Sequence, residues 1–344
     1  MKIMMITDAW EPQINGVVRT LKQTRKELLL MGHQVEMITP QEFMTFPCPT
    51  YPDISLSFLP AKKVSKRIRS FKPDAIHIST EGPLGLAARS FAIKNKIPYS
   101  TAYHTRFPEY VYARTRIPLS WTYRFLRWFH GPSCAVMAPT PAIVAELQKR
   151  QFKNVVLWSR GVDLDRFQYQ PSTSIDTPKP IFLCVGRVAV EKNIEAFLSL
   201  DLPGSKVVIG DGPSLPILKD KYPNATYLGA MDQVDLPPYY SSADVFVFPS
   251  RTDTFGLVIL EAMACGLPVA AYPVPGPIDV IGNSGAGVLK EDLREACLEA
   301  LKIPKENAIS HAKLYSWKSA SEQFAKHLVP VPEGLVESSS DIEI

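Results

Sequence analysis

The fold of this chain is decided by the stretch Arg251-Thr-Asp253-Thr-Phe-Gly256-Leu-Val-Ile-Leu-Glu261-Ala-Met-Ala-Cys-Gly266. Before it, residues 243–249 form a short apolar run bounded by a proline, which is typical of a buried parallel strand. After Phe255 the residues are good helix formers, and Gly266 ends the run. The stretch therefore predicts a turn from strand to helix at the carboxyl edge of a sheet, where open α/β sheets bind ligands.

Three residues of this stretch indicate what the turn binds. Gly256 allows close approach to the first N–H groups of the helix, and such groups attract an anion. Glu261 lies about a turn and a half inside the helix, which is too deep for a capping role. Together with Asp253, these residues predict a site for a phosphate that carries hydroxyl-rich groups on either side.

The composition is that of a globular protein with two domains. The chain has 344 residues, a length that exceeds what one hydrophobic core usually supports. Its residues are 46% hydrophobic and 21% charged, as in folded globular proteins. A net charge of +4 without a binding motif predicts no nucleic-acid partner. Five cysteines without a CxxC pair are typical of buried thiols in a cytosolic protein. We expect a cytoplasmic protein, because no apolar run reaches the about 18 residues of a membrane span and the apolar start is too short for a signal peptide.

Strands and helices alternate along both halves of the chain. This pattern predicts two doubly wound, Rossmann-like α/β domains that face each other across a crevice. A proline- and serine-rich connection predicts the boundary between them. The predicted segments are a first domain over 1–170, a linker over 171–180, a second domain over 181–310, a helix over 311–328 that crosses back to the first domain, and a disordered tail over 333–344.

Further candidate contacts lie at other strand ends. Arg187 and Lys192 follow the first strand of the second half, where two cations suit a diphosphate, although a surface pair around a glutamate is the plain alternative. Gly210 begins a tight turn that fits under a base or a ribose. Gly16 follows an asparagine at a helix start, where an ordinary N-cap with a turn glycine is the likelier interpretation of these residues alone. His104 ends a strand of the first half, at the edge that faces the crevice.

Aromatic and basic residues alternate over residues 112–130. Such a segment fits a helix at a membrane interface, and it fits a partly buried helix with its arginines in water equally well. A second basic stretch, over residues 61–72, favours a solvated helix face.

Taken together, these motifs resemble those of the retaining glycosyltransferases of family 4, which have the GT-B fold. That family includes lipid-directed mannosyl-, glucosyl-, glucuronosyl- and sulfoquinovosyltransferases. The motifs that carry the resemblance are Asn15-Gly16-Val17, Tyr103-His104-Thr105, Ser159-Arg160-Gly161-Val162-Asp163, Gly186-Arg187 with Lys192, and Asp253-Thr-Phe-Gly256 through Glu261. The chain departs from the family where Asp253 replaces the first glutamate of a pair separated by seven residues.

The resemblance implies a role for each candidate residue. Glu261 would hold the ribose hydroxyls of the donor, and His104 would contact the donor sugar near the reacting carbon. Arg187 and Lys192 would bind the diphosphate and stabilise its charge as it leaves. The remaining donor-binding residues would be Gly16, Gly210, Asp253, Thr254, Phe255, Gly256 and Leu257. No metal and no cofactor are expected, since the two cations do the neutralising.

The donor would be a UDP-hexose or GDP-mannose, and a front-face mechanism would explain retention. A lipid acceptor such as diacylglycerol would be met at an anionic membrane surface, with the protein peripheral on the inner face of the cell membrane. The acceptor and membrane residues would be Arg106, Glu109, Arg116, Trp121, Arg124, Arg127 and Trp128. The alternatives are a GDP-mannose-dependent mannosyltransferase, a polysaccharide glycosyltransferase, and a catalytically silent paralogue that binds nucleotide sugars.

Overall fold

The computed structural model describes residues 1–13, 15–48, 51–332 and 334–335, with the side chains of 51–53, 113 and 114 left aside. Its contacts divide the chain into two units. The first comprises Met1–Ser159 and the segment that starts at Trp317, and the second is Arg160–Ser316. Apart from residues 334 and 335, the predicted tail over 333–344 lies outside the described residues.

The first unit is built around a parallel sheet. Its strands are β1 (Lys2–Ile6), β2 (Gln34–Ile38), β3 (Thr45–Cys48), β4 (Tyr51–Ser57), β5 (Ala75–Ile78), β6 (Ser100–Ala102), β7 (Ala135–Ala138) and β8 (Val155–Leu157). Its helices are α1 (Gly16–Leu30), α2 (Ala61–Phe71), α3 (Pro83–Lys94), α4 (Phe107–Thr115), α5 (Leu119–His130), α6 (Pro141–Lys149) and α14 (Trp317–Lys326). Within the described residues, six parallel strands follow the order β2-β1-β5-β6-β7-β8, and β3 and β4 form a separate antiparallel hairpin.

Burial on both faces explains why β1 is a central strand. Ile3, Met4, Met5 and Ile6 are all fully buried, and a continuous apolar run of this kind needs cover on both sides of the sheet. Ile3 and Met5 share one core cluster with Phe324, at the end of α14. The last helix of the described chain therefore completes the core that the first strand begins.

The second unit repeats the architecture in one continuous segment. Its strands are β9 (Ile181–Val185), β10 (Ser205–Ile209), β11 (Thr226–Tyr227), β12 (Val245–Phe248), β13 (Val269–Ala271) and β14 (Gly287–Leu289). Its helices are α7 (Ile194–Leu198), α8 (Leu215–Lys221), α9 (Leu236–Ser242), α10 (Leu257–Ala264), α11 (Pro277–Val280), α12 (Leu293–Ala300) and α13 (Lys305–Ala312). In the part of the chain that the structure describes, these strands pair in parallel in the order β11-β10-β9-β12-β13-β14. The predicted α/β class, with two Rossmann-like domains, is confirmed.

Residues 160–180 pack with the second unit, whereas the sequence divides them between the first domain and a linker. Phe167 and Ile175 are buried in the same core cluster as Ile181 and Leu183 of β9. Proline and serine content suggests a free connection, but two apolar anchors are enough to attach it to a core.

The loops at the carboxyl edge of the second sheet approach each other backbone to backbone. Gly210 has a φ of 143°, and a Cβ atom there would lie 1.9 Å from the carbonyl oxygen of Gly186. The N–H of Gly210 donates to the carbonyl of Gly229 at 2.7 Å. Glycine is therefore required at position 210 to let the turns after β9 and β10 meet.

This close approach predicts a large difference between two alanine substitutions in the same unit. Gly210→Ala adds a steric clash to the cost of a positive φ, so it should destabilise the protein by about 2–4 kcal/mol. Gly229→Ala is the matched control, since Gly229 also has a positive φ, 76°, but among the described residues no atom beyond its chain neighbours lies within 4 Å of an added Cβ. It should cost only about 1 kcal/mol. Thermal unfolding midpoints compare the two, and equal shifts would contradict the steric argument.

Candidate functional site

The turn from β12 to α10 carries most of the predicted donor residues. Gly256 stands immediately before α10 with φ 86° and ψ 68°, and a Cβ there would lie 2.9 Å from Cδ1 of Ile259. The side chains of Thr254 and Phe255 are buried, and Leu257 packs against the core. The contribution that this turn can make to a ligand therefore comes from its backbone and from Asp253.

Asp253 is held by a cation from the neighbouring loop. Nζ of Lys192 donates to Oδ1 of Asp253, in an ion pair whose side chains are 27% and 13% exposed respectively. The second oxygen, Oδ2, is buried and has no hydrogen-bond partner among the described residues. An acceptor that is buried without a donor is costly, so this oxygen is suited to a ligand hydroxyl.

Side chains bind the loops after β9 and β12 together. Nδ2 of Asn193 donates to the carbonyl of Pro249 at 3.1 Å, and Oγ1 of Thr252 donates to the carbonyl of Glu191 at 3.1 Å. The half-buried Arg187 belongs to the same β9 loop. The structure thus brings Lys192 and Asp253, which the sequence separates by 61 positions, to one edge of one sheet.

Glu261 is buried inside α10 and accepts hydrogen bonds on both carboxylate oxygens. Nε2 of Gln233 donates to Oε1 at 3.0 Å, and the hydroxyl of Tyr240 donates to Oε2 at 3.2 Å. Oε1 of Gln233 in turn accepts from the guanidinium of Arg166 at 3.4 Å. Sequence reasoning misses Gln233 and Tyr240, because a glutamine in a polar loop and a tyrosine on an amphipathic helix carry no signal of their own.

In the first unit, Gly16 lies at the start of a helix and His104 lies in the loop after a strand, as the sequence predicts. Gly16 is the first residue of α1, and Oδ1 of Asn15 accepts from the N–H groups of Val17 and Val18, each at 3.0 Å. This is the ordinary N-cap geometry. His104 follows β6, half-buried, with its ring edge-on to Trp158 at a centroid distance of 5.5 Å. Donor contacts by Gly16 and His104 stay predictions.

The structure places Arg106 and Glu109, two of the predicted acceptor residues, in a network of their own unit. Arg106 forms an ion pair with Glu146 of α6. Glu109 accepts from the hydroxyl of Tyr123 at 2.7 Å, and burial together with this bond raises the pKa of Tyr123. Glu146 also accepts from Nε of Arg150 at 3.2 Å. These contacts join α4, α5 and α6, which is a structural task that the sequence does not reveal.

Helix α5 divides its aromatic residues between two faces. The buried face holds the aromatic residues Tyr123 and Phe129, together with Leu126. The opposite face carries Trp121 and Trp128, which are 69% and 52% exposed.

The buried side of α5 agrees with the partly buried helix, and contact of the other side with a membrane stays a prediction. Arg124 is exposed, Arg127 reaches the carbonyl of Arg150 at 3.5 Å, and Arg116 is exposed at the end of α4. Among the described residues, no helix has the length and apolar character needed to cross a membrane.

Comparison with known proteins yields two family models that match consecutive parts of the chain. The model of Glycosyltransferase Family 4 matches residues 14–166, and that of Glycosyl transferases group 1 matches residues 179–303. The solved structure of the sucrose-phosphate synthase of Thermosynechococcus elongatus has a fold similar to that of this chain. The TM-score is 0.74 at 20% identity, over 94% of this chain and 97% of that one.

Three of the similar proteins have different named activities. The sulfoquinovosyl transferase of Arabidopsis thaliana is 29% identical, over 94% of this chain and 77% of its own length. A GDP-mannose-dependent alpha-mannosyltransferase of Corynebacterium glutamicum is 26% identical, over 96% and 89%. The alpha-monoglucosyldiacylglycerol synthase of Streptococcus pneumoniae is 27% identical, over 95% and 84%.

The ion pair between Lys192 and Asp253 predicts a stability effect that is recovered by removing both charges. Lys192→Met leaves a mostly buried carboxylate without its cation, which should cost about 1–3 kcal/mol. Adding Asp253→Asn should restore most of that loss. A double-mutant cycle on unfolding midpoints measures the coupling.

Lys221→Met serves as the control for this cycle. Lys221 pairs with Glu195 in the same unit, but the two side chains are 58% and 51% exposed. An exposed pair contributes at most about 1 kcal/mol. A Lys192 effect no larger than the Lys221 effect would show that the Asp253 charge does not depend on Lys192.

Proposed function

This chain belongs to glycosyltransferase family 4 and has the GT-B fold, and we propose that it moves a hexose from a nucleotide diphosphate sugar to a lipid acceptor at a membrane surface. It is a hexosyltransferase that uses a nucleotide-sugar donor. The observation that carries the finer proposal is the cluster of Lys192, Asp253 and the α10 N-terminus on one sheet edge. This cluster offers a cation, an acceptor for hydroxyl groups and backbone N–H groups. These are the three kinds of partner that a sugar diphosphate requires.

Each part of the donor has a partner of suitable chemistry in the second unit. Arg187 and Lys192 bind the diphosphate, with the first N–H groups of α10 adding to the positive field. Oδ2 of Asp253 accepts from a hexose hydroxyl. Glu261 accepts from the ribose hydroxyls. Gly210 supports this arrangement by letting the loops after β9 and β10 approach each other.

A front-face displacement fits the charges of this cluster. The bond from the anomeric carbon to the diphosphate oxygen breaks, and a bond to the acceptor oxygen forms on the same face. The departing diphosphate takes the acceptor proton, while Arg187 and Lys192 stabilise its negative charge. Asp253 is a poor candidate for a covalent nucleophile, because Lys192 already binds one of its oxygens.

A lipid acceptor is supported by two observations. The exposed face of α5 presents two tryptophans with Arg124, and tryptophan and arginine together favour an anionic membrane interface. One similar protein is named as a synthase of a glucosyl diacylglycerol. GDP-mannose as donor is the second candidate, and it is favoured by the likeness to the mannosyltransferase.

The positions of Arg187 and Lys192 predict that the folded protein loses turnover when either charge is removed. Arg187→Ala and Lys192→Ala should each lower kcat by about a hundredfold to a thousandfold, because each removes charge stabilisation of the leaving group. Transfer is measured by mass spectrometry of products from UDP-glucose, UDP-glucuronate and GDP-mannose with a lipid extract. Activity of the unaltered protein should persist in EDTA.

A loss below tenfold in both variants, each assayed well below its own unfolding midpoint, would argue against the front-face assignment. Release of no nucleotide from any donor, with tight nucleotide binding, would instead identify a silent binding protein.

Helix α5 predicts binding to anionic vesicles. The double variant Trp121→Ala with Arg124→Glu should reduce flotation with vesicles that contain phosphatidylglycerol by at least about tenfold, since each basic residue near such a surface contributes about 1 kcal/mol. Lys302→Glu with Leu314→Ala is the control, because it makes the same kind of charge and apolar change at exposed positions of the second unit. Equal losses in both variants would remove α5 from the membrane contact.

A further inference from the structure

Glu261 is surrounded by donors that come from two separate elements of the second unit. Gln233 lies in the loop between β11 and α9, and Tyr240 lies on α9 itself. Each donates to a different oxygen of the carboxylate, at 3.0 Å and 3.2 Å. The plane and the direction of the carboxylate are therefore set by two bonds rather than one.

Both donors are themselves held in place. The ring of Tyr240 is completely buried and lies between Phe167 and Phe246, with centroid distances of 6.2 Å and 5.9 Å. The amide of Gln233 is oriented by Arg166, whose guanidinium donates to its oxygen and so turns its NH2 group toward Glu261. A chain of hydrogen bonds thus runs from Arg166 through Gln233 to one oxygen of Glu261, and Tyr240 donates to the other oxygen.

An ionised carboxylate has about four lone-pair sites, and Gln233 and Tyr240 each donate to one of them. Both donors are neutral, so neither forms an ion pair that a sugar hydroxyl would have to displace. A glutamate that is free to rotate would lose about 1.5–2 kcal/mol of side-chain entropy on becoming fixed, and a side chain that is already held avoids that cost on binding.

We infer that Gln233 and Tyr240 are positioning residues, which orient the Glu261 carboxylate toward the ribose hydroxyls of the donor nucleotide. This inference rests on the ribose-binding role of Glu261 in the proposed function. It assigns to the β11–α9 segment a part in donor affinity. A purely structural role, in which the two residues only satisfy a buried carboxylate, would lower stability without changing the preference for ribose.

The test uses the ratio of affinities for a nucleotide with and without a ribose hydroxyl. Titration calorimetry with the full chain compares UDP or GDP, whichever binds, with the 2′-deoxy and 3′-deoxy forms of the same diphosphate. The unaltered protein should prefer the ribonucleotide by about tenfold or more, as expected for hydrogen bonds to a charged group. Tyr240→Phe and Gln233→Leu should each reduce this preference to about twofold or less.

The kinetic result should follow the binding result. Because the ribose is remote from the reacting carbon, both variants should raise KM for the donor while leaving kcat nearly unchanged. Tyr239→Phe is the matched control, since Tyr239 is a half-buried tyrosine on the same helix. It should keep the full preference for the ribonucleotide.

The possible outcomes separate this inference from the function on which it rests. A full preference for the ribonucleotide in both Tyr240→Phe and Gln233→Leu would overturn the positioning role and leave the role of Glu261 intact. An unaltered protein that does not discriminate between ribose and deoxyribose would overturn both. If Tyr240→Phe does not fold, Gln233→Leu decides the question, because Gln233 is only half-buried and lies in a loop.

Discussion

Parallel pairing of β9 with β12 is the constraint on which the candidate site depends. Phe182 and Leu183 of β9 lie in register with Val245 and Phe246 of β12. Because the strands run in the same direction, the loops that follow them leave the sheet at the same edge. Lys192 and Asp253 meet for that reason, and neither loop could form the ion pair alone. The backbone contact of Gly210 with Gly186 adds the third loop to the same edge.

The two carboxylates of the site are stabilised in different ways, and their chemistry follows from this difference. Asp253 is paired with a cation and keeps one buried oxygen without a hydrogen-bond partner among the described residues. Glu261 receives neutral donors on both oxygens. The first arrangement suits a residue beside an anionic diphosphate, where a second negative charge must be compensated. The second suits a residue that has to accept hydrogen bonds from uncharged hydroxyls.

Local sequence was sufficient to predict the turn at Gly256 and its neighbouring strand and helix. An apolar run that ends in proline, and a glycine that stops a run of helix formers, are signals within about 25 residues of each other. The partners of Glu261 were not predictable in this way, because Gln233 and Tyr240 reach it only after α9 has packed against the sheet.

Residues 160–180 illustrate a different limit. Their prolines and serines are spread along the segment, whereas its attachment depends on Phe167 and Ile175 alone. Composition is an average over the whole segment, so it does not show that two buried residues attach the segment to a core. The partners of Arg106 and Glu109, at the start of α4, were not predictable for a related reason, since Glu146 and Tyr123 come from other helices.

The return of the chain at Trp317 has a consequence for biosynthesis. The second unit is one continuous segment, so all of it is translated before α14. Phe324 shares a core cluster with Ile3 and Met5, and it is synthesised more than 300 residues after them. The core cluster that contains Ile3 and Met5 is consequently complete only after the whole second unit has been translated.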